Sequence, residues 1–119
     1  MTLTSTLDKI INYAAQVAEP ETIILFGSMI NGNANVYSDV DLLIITSNSI
    51  DKKDTMAKIK NHSGQRSIKT DVLIYSQREL EKELKIPASF VAAIYEHGRV
   101  VYKKNWINAL GNFERIITL

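Results

Sequence analysis

The sequence contains no cysteine. Disulfides, thiolate zinc sites and cysteine nucleophiles are therefore excluded, and any metal must be held by oxygen or histidine ligands. Long apolar runs are also missing. No segment approaches the roughly 20 apolar residues needed to span a bilayer, and the first ten residues, MTLTSTLDKI, lack a basic start followed by a long apolar stretch. A cytoplasmic protein with no membrane association is the expectation. Net charge is only +1, too weak a balance to indicate dedicated nucleic-acid binding. There is no internal repeat and no low-complexity segment. What is present is ordinary: 119 residues, 45% hydrophobic and 23% charged, which fits one domain over 1–119 with a core of its own.

The charge is unevenly placed. Residues 1–50 hold one Lys or Arg against five acids, and residues 51–119 hold thirteen against eight, giving halves of −4 and +5. An acidic half facing a basic half suits a polyphosphate ligand, and it equally suits solvated helix faces.

Apolar residues Leu3, Leu7, Ile10, Ile11, Ala14, Val17 and Ala18 recur at helical spacing until Glu19-Pro20 stops them, so residues 3–18 read as an amphipathic helix. Thr22 to Phe26 reads as a buried strand ending at Gly27. Ser28 is placed to cap a short helix through about Gly32, with the turn formers Asn31 to Asn35 ending it. Val40 to Thr46 is nearly all apolar beyond Asp41, as in a strand covered on both faces. A helix is expected over Asp51 to Asn61, with Met56 and Ile59 inward and His62-Ser63-Gly64-Gln65 breaking it. A third strand is expected over Ile68 to Tyr75, and a charged helix from about Gln77 to Leu84. Pro87 opens a helix over Ala88 to Glu96, with Phe90, Val91 and Ile94 inward and Gly98 just past its end. Arg99 to Tyr102 is a short edge-strand candidate. Trp106, Leu110, Phe113 and Ile117 form a C-terminal helical stripe for core packing or a contact between copies or with a partner.

The stretch from Ile23 to Ile45 organises the chemistry. Alternating strands and helices put Gly27-Ser28 at the carboxyl end of the first strand, where backbone donors at a helix start can hold phosphate. Ten residues later comes Asp39-Val40-Asp41. In an extended chain Asp39 and Asp41 project to one face, because side chains alternate along a strand. Such a pair repels itself unless a cation lies between. Asp71 sits in the third strand, on one face with Leu73 and Tyr75, so three acids converge if that strand lies beside the second. Oxygen-only ligands favour Mg²⁺. The bland alternatives are a solvated strand start for Asp39 and Asp41, an exposed strand-end acid for Asp71 and a simple helix cap for Ser28.

Gly27-Ser28, ten residues, then Asp39-Val40-Asp41 resembles the signature of the nucleotidyltransferase superfamily, and the small size resembles its minimal, MNT-type members. Gly32 and Ser38 also fit that pattern. The resemblance covers roughly Ile23 to Tyr75, more weakly to Tyr102. It implies an α/β fold with a mixed sheet flanked by helices. It further implies ATP or another nucleoside triphosphate as donor, a pair of Mg²⁺ ions held by Asp39, Asp41 and Asp71, contact of Gly27 and Ser28 with the triphosphate, and Asp71 as general base toward an acceptor hydroxyl. Small MNT-type proteins resemble the antitoxin halves of toxin–antitoxin pairs, so the resemblance also implies a HEPN-type toxin as partner and AMP attached to it.

One departure from the family stands out. Its members often carry basic residues shortly after the serine, and Met29-Ile30-Asn31 offers none. Phosphate charge then falls to metal, backbone or distant bases such as Arg66 or Lys69. Lys69 lies two before Asp71, so it either reaches the site or pairs with that acid. Tyr37 stacks on a base or covers the core edge. His62 and His97 fall at helix C-terminal ends, where a cation is favoured, and neither is given a catalytic role. The competing functional readings are an antitoxin that neutralises by binding alone and transfer to a small-molecule hydroxyl.

Overall fold

The computed structural model describes residues 3–27, 39–47 and 49–106. The expected short helix after Ser28, its turn-rich loop, Tyr37, Ser38 and the tail residues Leu110, Phe113 and Ile117 lie outside the described residues.

Two aliphatic segments make the centre of the sheet. TIILF forms β1 (Thr22–Phe26) and VDLLIIT forms β2 (Val40–Thr46), both rich in the branched side chains that pack well on a pleated surface. They pair antiparallel, with Thr22 opposite Ile45 and Phe26 opposite Asp41. β3 (Thr70–Ser76) runs parallel to β2. A parallel pair needs a crossover, supplied here by α2 (Lys52–Gly64). The last strand, β4 (Arg99–Lys103), pairs antiparallel with β1 at the edge, with a register irregularity between Ile23 and Ile24. Sheet order is β3-β2-β1-β4, so the sheet is mixed.

Because β1 and β2 are central, both of their faces must be covered. On one face Ile23, Leu25, Leu42, Ile44, Val72 and Val101 pack against α1 (Leu3–Ala18), whose Leu7, Ile10, Ile11 and Ala14 are buried, and against Ile59 of α2. On the other, Ile24, Leu43 and Ile45 meet Leu80 of α3 (Gln77–Leu84) and Val91 and Ile94 of α4 (Phe90–His97). The result is three layers, with helices on both sides of the sheet.

Both central strands, α1 and α3 match their expected bounds. α2 is longer than expected and runs through His62 and Ser63 to Gly64. Ser63, which looked like a breaker, is fully buried and donates its hydroxyl to the Lys60 carbonyl at 3.1 Å, a local bond compatible with helix. The turn falls later, where Ser67 takes φ 59°. β3 starts at Thr70 rather than Ile68, although Ile68 is buried. α4 starts at Phe90, not Ala88, because Ala88 has φ 61° and Ser89 caps the helix by accepting from the Ala92 amide. Phe90 does not point inward: it is 65% exposed, while Val91 and Ile94 are buried as expected.

Candidate active site

Strand directions decide where the acids meet. β2 is antiparallel to β1 and parallel to β3, so the carboxyl end of β1 and the amino ends of β2 and β3 share one edge of the sheet. Asp41 has Phe26 as its partner on one side and Asp71 on the other. The condition set by the sequence is met, and the two carboxylates stand on adjacent strands. They share the face of Leu43 and Leu73, the side covered by α3 and α4. Both acids are half-buried.

This crowding shows in the protonation of Asp41. Its carboxyl is pushed above the usual carboxylate range, first by burial, then by the neighbouring charges of Asp71 and Asp39 and by a hydrogen bond with Asp71, with Lys69 acting in the opposite sense. A cation brought to this edge would offset the repulsion among these acids.

Gly27 makes the approach feasible. It has φ +77°, and a Cβ built on it would overlap Asp41 Oδ2 and lie 3.1 Å from Asp41 Cγ. A side chain there would therefore be strained twice, by its backbone and by the carboxylate. Ser28 lies outside the described residues.

Lys69 sits at the entrance, where its Nζ is 3.9 Å from Asp39 Oδ2 and its backbone carbonyl accepts from the Val40 amide at 2.9 Å. Of the two alternatives for Lys69, the structure shows the side chain reaching the acidic edge through Asp39. Arg66, the other candidate base, donates instead to the His62 carbonyl at 3.5 Å at the end of α2. His62 also departs from expectation. It stacks on Tyr13 at 4.0 Å between ring centroids, and burial together with the Arg66 charge pushes its pKa down, which opposes the cationic form that a helix C-terminus would favour. His97 does end α4, 3.8 Å from Glu96.

Among the described residues no group of three His, Cys, Asp or Glu side chains is arranged as a ready metal cage. The donor set nevertheless fits Mg²⁺, which binds through one or two carboxylates and completes its shell with water and substrate phosphate. Burial first, and then the charges of Asp71 and Asp39, raise the pKa of Asp41, with Lys69 only partly offsetting them.

Beside the acids is a feature that sequence reasoning missed. A cavity of about 410 Å³ lies between the end of β1 and α4, lined by Phe26, Gly27, Asp41, Phe90, Ala93, Ile94, His97 and Gly98. Its signal was present in the spacing of Phe90, Ala93 and His97, a second flank of α4 next to the core flank of Val91 and Ile94. Gly98 lets α4 approach. A Cβ there would fall 2.6 Å from the Ile94 carbonyl oxygen and 3.1 Å from that of Leu25, so the helix end is pressed directly on β1.

A mixed four-stranded sheet with helices on both faces, and a Gly-then-acids edge between its first two strands, defines a nucleotidyl-transfer type of site. The family described as Polymerase beta, Nucleotidyltransferase matches residues 8–106, and the chain belongs to that family. No curated protein matches the chain. The family's chemistry is nucleotidyl transfer, generally from a nucleoside triphosphate with Mg²⁺. No helix among the described residues is long and apolar enough to cross a membrane.

Proposed function

We propose that the protein is a Mg²⁺-dependent nucleotidyltransferase that moves AMP from ATP to a hydroxyl on a protein partner. The observation that carries this reading is Asp41 held beside Asp71 on adjacent strands, with Asp39 near and Gly27 giving the carboxylate room. Asp39, Asp41 and Asp71 would hold Mg²⁺, and Gly27 and Ser28 would meet the triphosphate. When bound, Mg²⁺ supplies neutralisation of the phosphate charge and stabilises the attacking and leaving oxygens of an in-line displacement. Asp71 takes the proton of the acceptor hydroxyl. The acceptor oxygen then forms its bond to the α-phosphorus while the bond from that phosphorus to the bridging oxygen breaks, and pyrophosphate leaves. Lys69, free to move at 72% side-chain exposure, is the described base nearest the acids and adds positive charge where the loop after Ser28 has none.

A protein acceptor is favoured over a small molecule by the exposed surface of the helices on the acids' side of the sheet. Leu84, Ile86, Phe90 and Tyr95 are large apolar residues left exposed on and around α3 and α4, which supports contact with a protein more than with a small polar molecule. A HEPN-type toxin, with this chain as its antitoxin, is the proposed partner. Incubation with labelled ATP, Mg²⁺ and the product of the neighbouring gene should label that product. Asp39→Ala or Asp41→Ala should lower labelling by at least about a hundredfold, the scale of losing a principal electrostatic group. Labelling that survives both substitutions refutes the assignment. If a folded Asp39→Ala/Asp41→Ala double variant still neutralises the toxin, neutralisation is by binding alone.

A further inference from the structure

The cavity between β1 and α4 has walls of two kinds. Gly27 and Asp41 belong to the acidic edge, whereas Phe26, Phe90, Ala93 and Ile94 are apolar, and among the described lining residues His97 is the one polar side chain besides Asp41. A ligand that fills it is therefore continuous with a group bound at the acids and meets a largely apolar wall on the α4 side. Its volume of about 410 Å³ lies in the range of small-ligand sites, roughly 300–1,000 Å³. Phe26 and Phe90 meet edge to face, with ring centroids 6.1 Å apart and planes at 85°. Phe90 is nevertheless 65% exposed, so most of its ring is available to a flat ligand.

We propose that this cavity is the nucleobase subsite of the donor nucleotide and takes a purine stacked on Phe90. The proposal rests on the nucleotidyl-transfer reading of the acids. A flat, weakly hydrated ring matches aromatic walls, and stacking is tolerant of base identity because every base has a π-face. Stacking on Phe90 selects by ring area, so ATP and GTP bind alike and UTP binds more weakly.

Calorimetric titration in Mg²⁺ with ATP, GTP, UTP and inorganic tripolyphosphate tests this on the wild type, Phe90→Ala and Phe90→Trp. Phe90 is exposed, so neither substitution touches the core residues Val91 and Ile94. Phe90→Ala should weaken ATP and GTP about tenfold, the scale of one base–aromatic stack, and leave tripolyphosphate unchanged. Phe90→Trp should restore both purine nucleotides. ATP affinity that ignores Phe90→Ala overturns the proposal, as does a parallel loss of tripolyphosphate. A wild type that binds no nucleotide overturns this proposal and the nucleotidyl-transfer reading together, whereas nucleotide binding indifferent to Phe90 overturns this one alone.

Discussion

β2 and β3 carry acids at one end and lead to another acid at the opposite end, and the two ends are treated in opposite ways. At the amino ends, Asp41 faces Asp71 with Asp39 close by, and its carboxyl is pushed above the usual range. Just past the carboxyl end of β3, Glu79 lies in the first turn of α3, where its Oε1 accepts from the Ser76 amide at 2.9 Å and from Lys52 Nζ at 2.7 Å. The Ser76 hydroxyl accepts from the Glu79 amide in return at 3.0 Å. With the Lys52 bond as the largest cause and the Ser76 bond next, the pKa of Glu79 is lowered to about 2. The acid in the cap of α3 is given donors, whereas Asp41 is set against other acids. On the proposed reading, that cost to the free protein is one that a bound cation would offset.

The largest test of that contrast is Gly27→Ala. A left-handed φ of +77° costs a non-glycine residue about 1–2 kcal/mol, and the added methyl also displaces the Asp41 carboxylate. Stability measured by urea denaturation should fall by that amount, and transfer should fall by roughly a hundredfold, the scale of a 1 Å misplacement in a reacting constellation. An active Gly27→Ala protein would mean that the position of Asp41 is unimportant and that its crowding serves no site.

How much of this was legible depended on whether the signal was local. β1 and β2 could be bounded from the sequence because branched aliphatic runs are closed by Pro20 and Gly27 and opened by the acids, and α3 because its charged helical segment follows directly on β3. The acidic pair could be placed on one face from strand alternation alone. The pairing of β3 with β2 was only a condition in the sequence, since nothing local names a strand's neighbour, and the convergence of Asp71 waited on it. Local composition also misled. Ser63 and Gly64 read as breakers, yet Ser63 is buried and satisfied within α2. Phe90 was placed inward because it is large and apolar, but the Ser89 cap sets the phase of α4 so that Val91 and Ile94 take the core. The charge state of His62 follows from burial and Arg66, which a position at a helix end could not show.

A smaller effect is expected at the satisfied end. Glu79→Ala removes the reciprocal cap and the partner of Lys52, and should cost about 1 kcal/mol, mostly through the cap, because Lys52 and Glu79 are exposed by 42% and 46% and an ion pair in solvent is worth little. The sign of its pH dependence follows from the lowered pKa. The stabilisation is fully present above the ordinary value of 4.5 and is lost as pH falls toward about 2. Chemical denaturation of wild type and variant from pH 7 to pH 2.5 should show the difference between them shrinking across that window. A difference independent of pH would mean that the carboxylate charge is not what the cap uses.

The smallest effect has the opposite sign. Asp41→Asn keeps the shape of the side chain and an amide able to donate to Asp71, but removes one charge from a group that burial, Asp71 and Asp39 already disfavour in ionised form. Like charges on facing strand positions cost about 0.2–1 kcal/mol, and solvent access to this half-open edge places the gain near the lower end. Without Mg²⁺ at neutral pH, the variant should melt about 1–2 °C above the wild type, and in saturating Mg²⁺ the order should reverse, because the wild type keeps the ligand that the variant has lost and gains more from the ion. A variant less stable than the wild type in the absence of metal would show that Asp41 holds the fold in the manner of Glu79. The distinction between the two ends of the strands would then collapse.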